Sequence, residues 1–489
     1  MRKPRKKKFV TAQESAYKQV ANEGIAPSRM RKRGYLVVGV AECDMPRFDR
    51  EQAMAEARSQ VENNPFVSGL VQCSVDNIVR TGFRLVMNTK DKVWNKENEA
   101  AWAEKCDFLD CRNIRPFWKL QRSWQYRKMV DGDVGVYHNN VDVGTDEFFI
   151  QTIEADRIRS KKFDYLDQGV EFDDLGMPLR YWIGPRPKDQ LDVRRALAQG
   201  SPVSADDFFL YAHYPTERVD QLRGVSMLLP MFNTLKDIKE GMNAMLQKLK
   251  VSAFFALKTI TKTGPTGLDW NGTETVKTNE DGKSRKTRSI VPGTIADLAA
   301  GEDIAEIESN SPNPEFEKFI RFTVRYACVQ LGVPLEFALL DVGALNYSSM
   351  LAVREMAKRR FICEQQSLMV PSSKVFKSWQ ANMVENDELK PPKSLKTNFH
   401  SHRWLTPPWP SLDSQKDYQA YGLALGFGLT TIKDILAESS TNTFEELVAQ
   451  RAEEIKVLAA AGIPTTIGMP GSTPAAPVDE KSTESGGIE

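Results

Sequence analysis

Met231, Leu235, Ile238, Met242, Met245 and Leu249 recur at alternating spacings of four and three. On a helix that period draws one apolar seam, which asks for a packed neighbour along its length. Lys236, Lys239, Asn243, Gln247 and Lys250 fall on other faces, as on an ordinary amphipathic core helix. A second helical pattern starts at Pro314 and carries Phe316, Ile320, Val324, Ala327 and Leu331 on one side. Between the two, Lys258 to Asn310 is rich in Thr, Gly, Asp and Lys, with turn punctuation at Val291-Pro-Gly293 and Leu298 to Glu302. This composition predicts a small β-rich module inserted between paired helices.

The second helix runs into Gln330-Leu-Gly-Val-Pro-Leu-Glu-Phe-Ala-Leu-Leu-Asp-Val-Gly-Ala-Leu-Asn-Tyr-Ser-Ser-Met350. Pro334 is expected to end the helix. Asp341, Gly343 and Asn346 supply turn freedom, and Asn346 or Ser348 can cap the long helix that follows. That helix has Val353, Met356, Phe361, Leu368 and Met369 apolar, and Arg354, Lys358, Arg359 and Arg360 basic. A loop of turn formers held between two such helices has a structural or functional reason to exist.

Upstream, residues 1 to 33 read as a basic, loosely ordered arm. The first firm helix is placed at Asn63-Asn-Pro65, where an Asn cap precedes proline. Phe66, Val67, Leu70, Val71, Val75, Ile78 and Val79 form its core stripe, and Gly82 closes it. Further helices are predicted from Glu97 to about Leu109 and from Pro116 to Val130, the latter with Phe117, Leu120 and Trp124 inward. From Val134 to about Pro215 the chain reads as short strands at Val134–His138, Phe148–Ile153, Val170–Phe172, Pro178–Ile183 and Phe208–His213, with a hairpin between Glu171 and Trp182. Pro391, Pro392, Pro407, Pro408 and Pro410 mark a linker. Asp413 to about Gly462 is helical with interruptions at Gly422, Gly426 and Gly428, and residues from Gly468 onward are too rich in Ser, Thr, Pro and Gly to pack. The fold class is α+β.

With 489 residues, about three domains are expected. A 41% hydrophobic content and the lack of any apolar run near the roughly 18 to 20 residues of a membrane span argue for a globular protein without membrane contact. Cys43, Cys73, Cys106, Cys111, Cys328 and Cys363 contain no Cys-x-x-Cys pair, and only four histidines accompany them. They read as ordinary thiols, and neither a metal nor a cofactor is expected. Net charge is +1 from 66 basic and 65 acidic residues, unlike a protein that grips phosphates strongly. Two basic blocks stand out, Arg2 to Lys8 and Lys283, Arg285, Lys286 and Arg288. Lys318, Arg321 and Arg325 share a helix face that is either solvated or turned toward a polyanion.

Catalytic motifs are missing. Gly282-Lys-Ser284 ends like a phosphate loop, but Lys277 occupies the position of its first glycine. Neither Gly-x-Ser-x-Gly nor His-Glu-x-x-His occurs. Asp131 and Asp133 around Gly132 are better explained as a turn than as a metal site. No catalytic residue is assigned, and an enzyme is not expected. A DNA-binding nuclease or recombinase subunit is the alternative class, and it would need clustered carboxylates.

Several blocks recur in a family-like order: Asn63-Asn-Pro-Phe-Val67 with Asn77-Ile-Val-Arg-Thr-Gly82, Asp131-Gly-Asp133, Ile153-Glu-Ala-Asp-Arg-Ile158, and Leu222-Arg-Gly-Val225 with Leu229-Pro230. Pro292-Gly293 with Gly301-Glu302, Gly332-Val-Pro334, Asn346-Tyr-Ser-Ser349, and Trp409-Pro-Ser-Leu-Asp413 with Lys416 continue the series. Together they resemble the lambda-type portal proteins of tailed bacteriophages from about Ala55 to about Pro464. One departure is Ser414, where the family usually has proline.

The resemblance implies a portal fold with an α/β wing, a two-helix stem, a small β-rich clip and a C-terminal helical crown. Its expected boundaries are a basic arm at 1–33, wing at 34–225, stem helix at 226–252, clip at 253–312, stem helix at 313–333, tunnel loop at 334–349, long wing helix at 350–395, crown at 396–466 and tail at 467–489. It implies a homo-dodecameric ring at one capsid vertex in the virion, assembled in the host cytoplasm. Double-stranded DNA, terminase, the major capsid protein or scaffold, and head-completion or adaptor proteins are the implied partners, with tail attachment on the same platform. The tunnel-loop positions are Leu339, Asp341, Val342, Gly343, Ala344, Leu345, Asn346 and Tyr347. Basic stem positions are Lys236, Lys239, Lys250, Lys318, Arg321 and Arg325, and Lys283, Arg285, Lys286 and Arg288 are the clip's expected partner contacts.

Overall fold

A computed structural model of the chain describes residues 47–139, 148–159, 168–173, 175–185, 200–214 and 221–254, strands within 257–306, and 314–463 apart from 342, 344, 396, 397 and 412; between 251 and 315 only backbone elements are described. Contacts divide the chain into two units, residues 1–82 with 89–400, and residues 83–88 with 401–489. Helices and strands are mixed throughout.

In the first unit, α1 (Arg47–Asn63) precedes α2 (Pro65–Val79). The helix at Asn63-Asn-Pro65 is therefore not the first one. Asn64 accepts from the Phe66 amide at 3.1 Å and proline follows, as the start signal requires. The missed α1 carries few apolar residues, so its period is weak. Lys92–Lys105 forms α3, which starts earlier than its apolar pattern because Asp91 caps it. Phe117–Val130 forms α4, capped by Pro116, with Phe117, Leu120 and Trp124 buried.

Edge-to-face aromatic contacts knit these helices to a 39-residue helix that comes much later in sequence, Tyr347–Glu385. Trp102 meets Phe117, Phe376 and Trp379 with ring centroids 5.2, 5.3 and 5.0 Å apart. Such pairs contribute about 0.5–1.5 kcal/mol each beyond their buried area. Buried amides run along the same interface. Gln121 donates to Ser372 at 3.0 Å, Gln365 to the Ile78 carbonyl at 2.9 Å and Gln125 to Glu364 at 3.1 Å. Glu364 also accepts from the Lys128 ammonium at 2.9 Å. Burial opposes the Glu364 charge, but Lys128 and Arg360 override it and hold the carboxyl below the usual range.

Two three-stranded antiparallel sheets follow. Strand β2 (Asp133–His138) lies between β3 (Ile150–Glu154) and β7 (Phe208–Ala212). The hairpin of β4 (Val170–Phe172) and β5 (Pro178–Ile183) adds β6 (Ser201–Ser204), a polar strand invisible to apolar alternation. Ile153, Ile158, Tyr181, Ile183 and Phe208 form the core shared by the sheets.

One ion pair joins this β region to the chain that leaves it. Arg223 donates to Asp133 through Nε at 2.6 Å and Nη2 at 3.0 Å, with both side chains at most 1% exposed. Its remaining donors reach the carbonyls of Ile158 at 2.9 Å, Gln168 at 2.8 Å and Ala155 at 3.1 Å. The Gly224 amide donates to Asp133 at 3.0 Å. A Cβ on Gly132 would lie 2.5 Å from the Val225 carbonyl carbon, and one on Gly224 would lie 2.0 Å from the Gly132 oxygen. Only glycine lets these two backbones approach. Burial pushes the Asp133 carboxyl up, yet Arg223, Arg50 and the Gly224 amide outweigh it and hold it below the usual range. Asp131 accepts from Arg58 at 2.8 and 2.9 Å and from Arg127 at 3.2 Å. The two aspartates are thus anchors for arginines, a role that a turn reading omits.

The second unit pairs β1 (Arg84–Met87) with β12 (His402–Leu405) in antiparallel register. Three further helices span Ser414–Gly426, Ile432–Ser439 and Phe444–Ala460, so the first break falls after Gly426 and Gly422 does not interrupt its helix; none has a buried residue. Thr431 with Asp434 and Thr443 with Glu446 form capping boxes. Arg84 binds Glu446 and donates to the Thr441 carbonyl at 2.8 Å, tying the last helix to its strand.

Removing one partner of the buried pair strands the other's charge. We expect Asp133→Leu and Arg223→Met each to cost about 3–5 kcal/mol in urea unfolding, and the two together to cost clearly less than their sum. Additive costs would disprove the coupling. Burial pushes His138 and His213 down to about 4. A histidine depressed in the folded state keeps its full contribution above the unfolded value, about 6.5, and loses it as pH falls toward the folded one. Thermal melts should therefore show stability falling between pH 6.5 and 4, by up to about 3 kcal/mol per histidine, and His213→Gln should flatten that fall.

Candidate functional site

The paired helices and the loop that follows them gather most of the sequence-derived candidates. Helix α5 (Phe232–Phe254) leaves a short turn at Leu229–Met231 and packs against α6 (Pro314–Leu331). Between them lie two antiparallel strand pairs, β8 (Leu257–Thr261) with β11 (Glu302–Glu306) and β9 (Glu274–Thr278) with β10 (Ser284–Arg288). Arg285, Lys286 and Arg288 fall on β10, while Lys283 and all four of these side chains lie outside the described residues.

The α5 seam is covered for half its length. Met231, Leu235 and Ile238 are buried, but Met242 is half exposed and Leu246 beside it equally so. On α6, Val324, Ala327, Cys328 and Leu331 are buried against the unit. Burial pushes the Cys328 thiol up to about 12, so it behaves as a small apolar side chain. The other side of α6 carries Phe319, Phe322, Tyr326 and Val329, from 57% to 71% exposed. Their spacings of three, four and three make a second apolar seam on the same helix. The first pattern drew attention to one side only, yet the same i, i+3, i+4 test finds the other.

The basic stripe is not a row of equal charges. Arg321 pairs with Asp341 at 3.0 Å and with Glu317 at 3.7 Å, and Lys236 pairs with Glu56 at 3.3 Å. Lys318, Arg325, Lys239 and Lys250 are exposed.

At the end of α6 Gly332 takes φ +64°, and the Val333 amide reaches back to the Cys328 carbonyl at 3.3 Å. This left-handed stop ends the helix ahead of Pro334. Pro334 instead caps a short helix, α7 (Leu335–Leu339), so the first third of the expected loop is helical and packs on α2 and α6. Leu340 then turns left-handed at φ 54° and is 86% exposed, the tip of the segment. Asp341 accepts from the Gly343 amide at 3.1 Å as well as from Arg321. Val342 and Ala344 lie outside the described residues. Leu339, Tyr347 and Asn346 are exposed and Leu345 partly so. Asn346 caps α8 (Tyr347–Glu385) through the Ser349 amide at 2.8 Å, as its type and position predict.

Among the described residues, no group of three or more His, Cys, Asp and Glu side chains could hold a metal ion, and no helix is long and apolar enough to cross a membrane. The arrangement presents surfaces and a tethered loop.

No curated protein matches the chain. A solved structure from the virion of a native gene transfer agent particle aligns at TM-score 0.48 and 10% identity, covering 83% of this chain and 97% of that one. Another, from the neck of the native particle, aligns at 0.47 and 11%, covering 80% and 94%. The crystal structure of an HK97 family phage portal protein from Corynebacterium diphtheriae aligns at 0.33 and 10%, covering 60% and 82%. The model of the lambda family of phage portal proteins matches residues 39–365, a span that takes in the buried Asp133–Arg223 pair, the paired helices and the start of α8. The chain belongs to the lambda family of phage portal proteins.

Proposed function

We propose that this chain is the subunit of a dodecameric portal ring at one capsid vertex, through which a terminase drives DNA in and from which DNA later leaves. The observation that supports it most is the two-sided apolar character of α6. One side is buried within the subunit, while Phe319, Phe322, Tyr326 and Val329 on the other stay exposed, as do Met242 and Leu246 on α5. A soluble subunit seldom leaves such a face open unless another copy covers it. If the α6 aromatic stripe of one copy meets the Met242 and Leu246 surface of the next, the contact is between unlike patches, and a heterologous contact that closes makes a ring.

In this reading α5 and α6 are the stem, β8 to β11 the clip that meets terminase and then head-completion proteins, and residues 34–225 with 350–395 the wing. Residues 334–349 are the tunnel loop and 396–466 the crown. With Leu340 at its tip, the loop acts on DNA through position and shape. Lys318, Arg325, Lys239 and Lys250 supply weak, salt-screened attraction, because strong phosphate binding repeated around a ring would stall a sliding duplex. Arg321 and Lys236 contribute less, their charge being partly met within the subunit.

Phe322→Glu with Tyr326→Glu should leave a folded subunit by circular dichroism that shows no rings with a central hole in negative stain; intact rings would sink the proposal. Deleting Val342 to Ala344 should spare ring assembly but lower the fraction of full heads, and normal full heads would refute a role for the loop.

A further inference from the structure

Helix α4 turns one side to the core and the other to an open cleft of about 960 Å³ in the first unit. Along that outer side Trp118, Arg122 and Tyr126 recur at helical spacing, with Arg115 just ahead of the helix and Lys119 beside Trp118 at 5.5 Å from its ring centroid. Seven cationic side chains line the cleft against four carboxylates, an excess of three in a chain whose whole net charge is +1. Ile114 is 70% exposed and Trp118 39% exposed at its wall. None of this serves the stem or the loop.

Three classes of occupant can be compared. A small molecule is poorly matched, since such ligands prefer enclosed, mostly apolar pockets. A nucleic-acid strand would stack on the aromatics, but Asp76, Asp110, Glu154 and Asp156 would stand against its phosphates, and Arg122 is already held by Asp76 and by Gln72 at 2.6 Å. A protein segment can set its acids only against Arg112, Arg115 and Lys119 and keep uncharged residues beside those carboxylates, which a strand with a phosphate at every nucleotide cannot do. Arg, Trp and Tyr are the residues that dominate protein interfaces, and planar guanidiniums take carboxylates in pairs.

We propose that this cleft docks an acidic segment of a partner protein, one that sets Asp and Glu against Arg112, Arg115 and Lys119 and an apolar side chain against Ile114 and Trp118. The assignment rests on the first unit alone, so it stands or falls separately from the ring reading.

The test uses the purified full chain and a fluorescein-labelled peptide alternating Asp or Glu with Phe or Leu, read by anisotropy. A peptide with Asn and Gln in place of the acids and an oligothymidylate of equal length are the comparisons. The acidic peptide should bind saturably and more tightly than either. Arg112→Glu with Arg115→Glu should weaken it by at least about tenfold. Trp118→Ala, which leaves the charges intact, should weaken it by about threefold or more. No saturable binding up to about 1 mM, equal binding of the uncharged peptide, tighter binding of the oligothymidylate, or unchanged affinity in both folded variants would overturn the proposal.

Discussion

The buried pair between Asp133 and Arg223 is the interaction on which the first unit depends. A guanidinium can be taken out of water only if its donors are met. Here Asp133 takes two, and the carbonyls of Ala155, Ile158 and Gln168 take the rest. Three separate pieces of chain must arrive together for that to happen: the turn after α4, the segment that follows β3, and the exit from β7 toward the paired helices. Because Gly132 and Gly224 admit no Cβ at their crossing, the geometry tolerates little slack. The pair therefore sets the direction in which the chain enters α5.

From that entry the remaining surfaces follow. Helices α5 and α6 pack together and each buries apolar residues within the unit. The α5 seam outlasts its cover, and α6 carries a second apolar side that stays exposed. Gly332 stops α6, and the segment after it folds first into a short helix and is tethered by Arg321 to Asp341. An exposed ion pair of this kind is weak, on the order of 0–1 kcal/mol, so it biases the segment without locking it.

Much of this was legible beforehand. The stripe from Val67 to Val79, the cap at Asn64, the inward Phe117, Leu120 and Trp124, the hairpin from Glu171 to Trp182 and the cap at Asn346 all follow from local period and local hydrogen bonding. The polar strand at Ser201–Ser204 and the helix at Arg47–Asn63 were not, because neither has an apolar face strong enough to show a period. Pro334 illustrates a subtler miss: proline ends one helix and begins another equally well, and only the left-handed Gly332 shows which it does here.

The sequence by itself determined which residues share a face, where the asparagines at 64 and 346 cap a helix, and which ordered blocks tie the chain to its family. Tertiary structure alone decided what each face meets. Asp133 and Arg223 are 90 residues apart, and no local pattern distinguishes a turn aspartate from the anchor of a buried arginine. Likewise the two sides of α6 are equally apolar as read from spacing, and only packing made one of them core and left the other open. Periodicity reports geometry within an element, whereas burial and ion pairing depend on which distant element arrives, and that is a property of the whole chain.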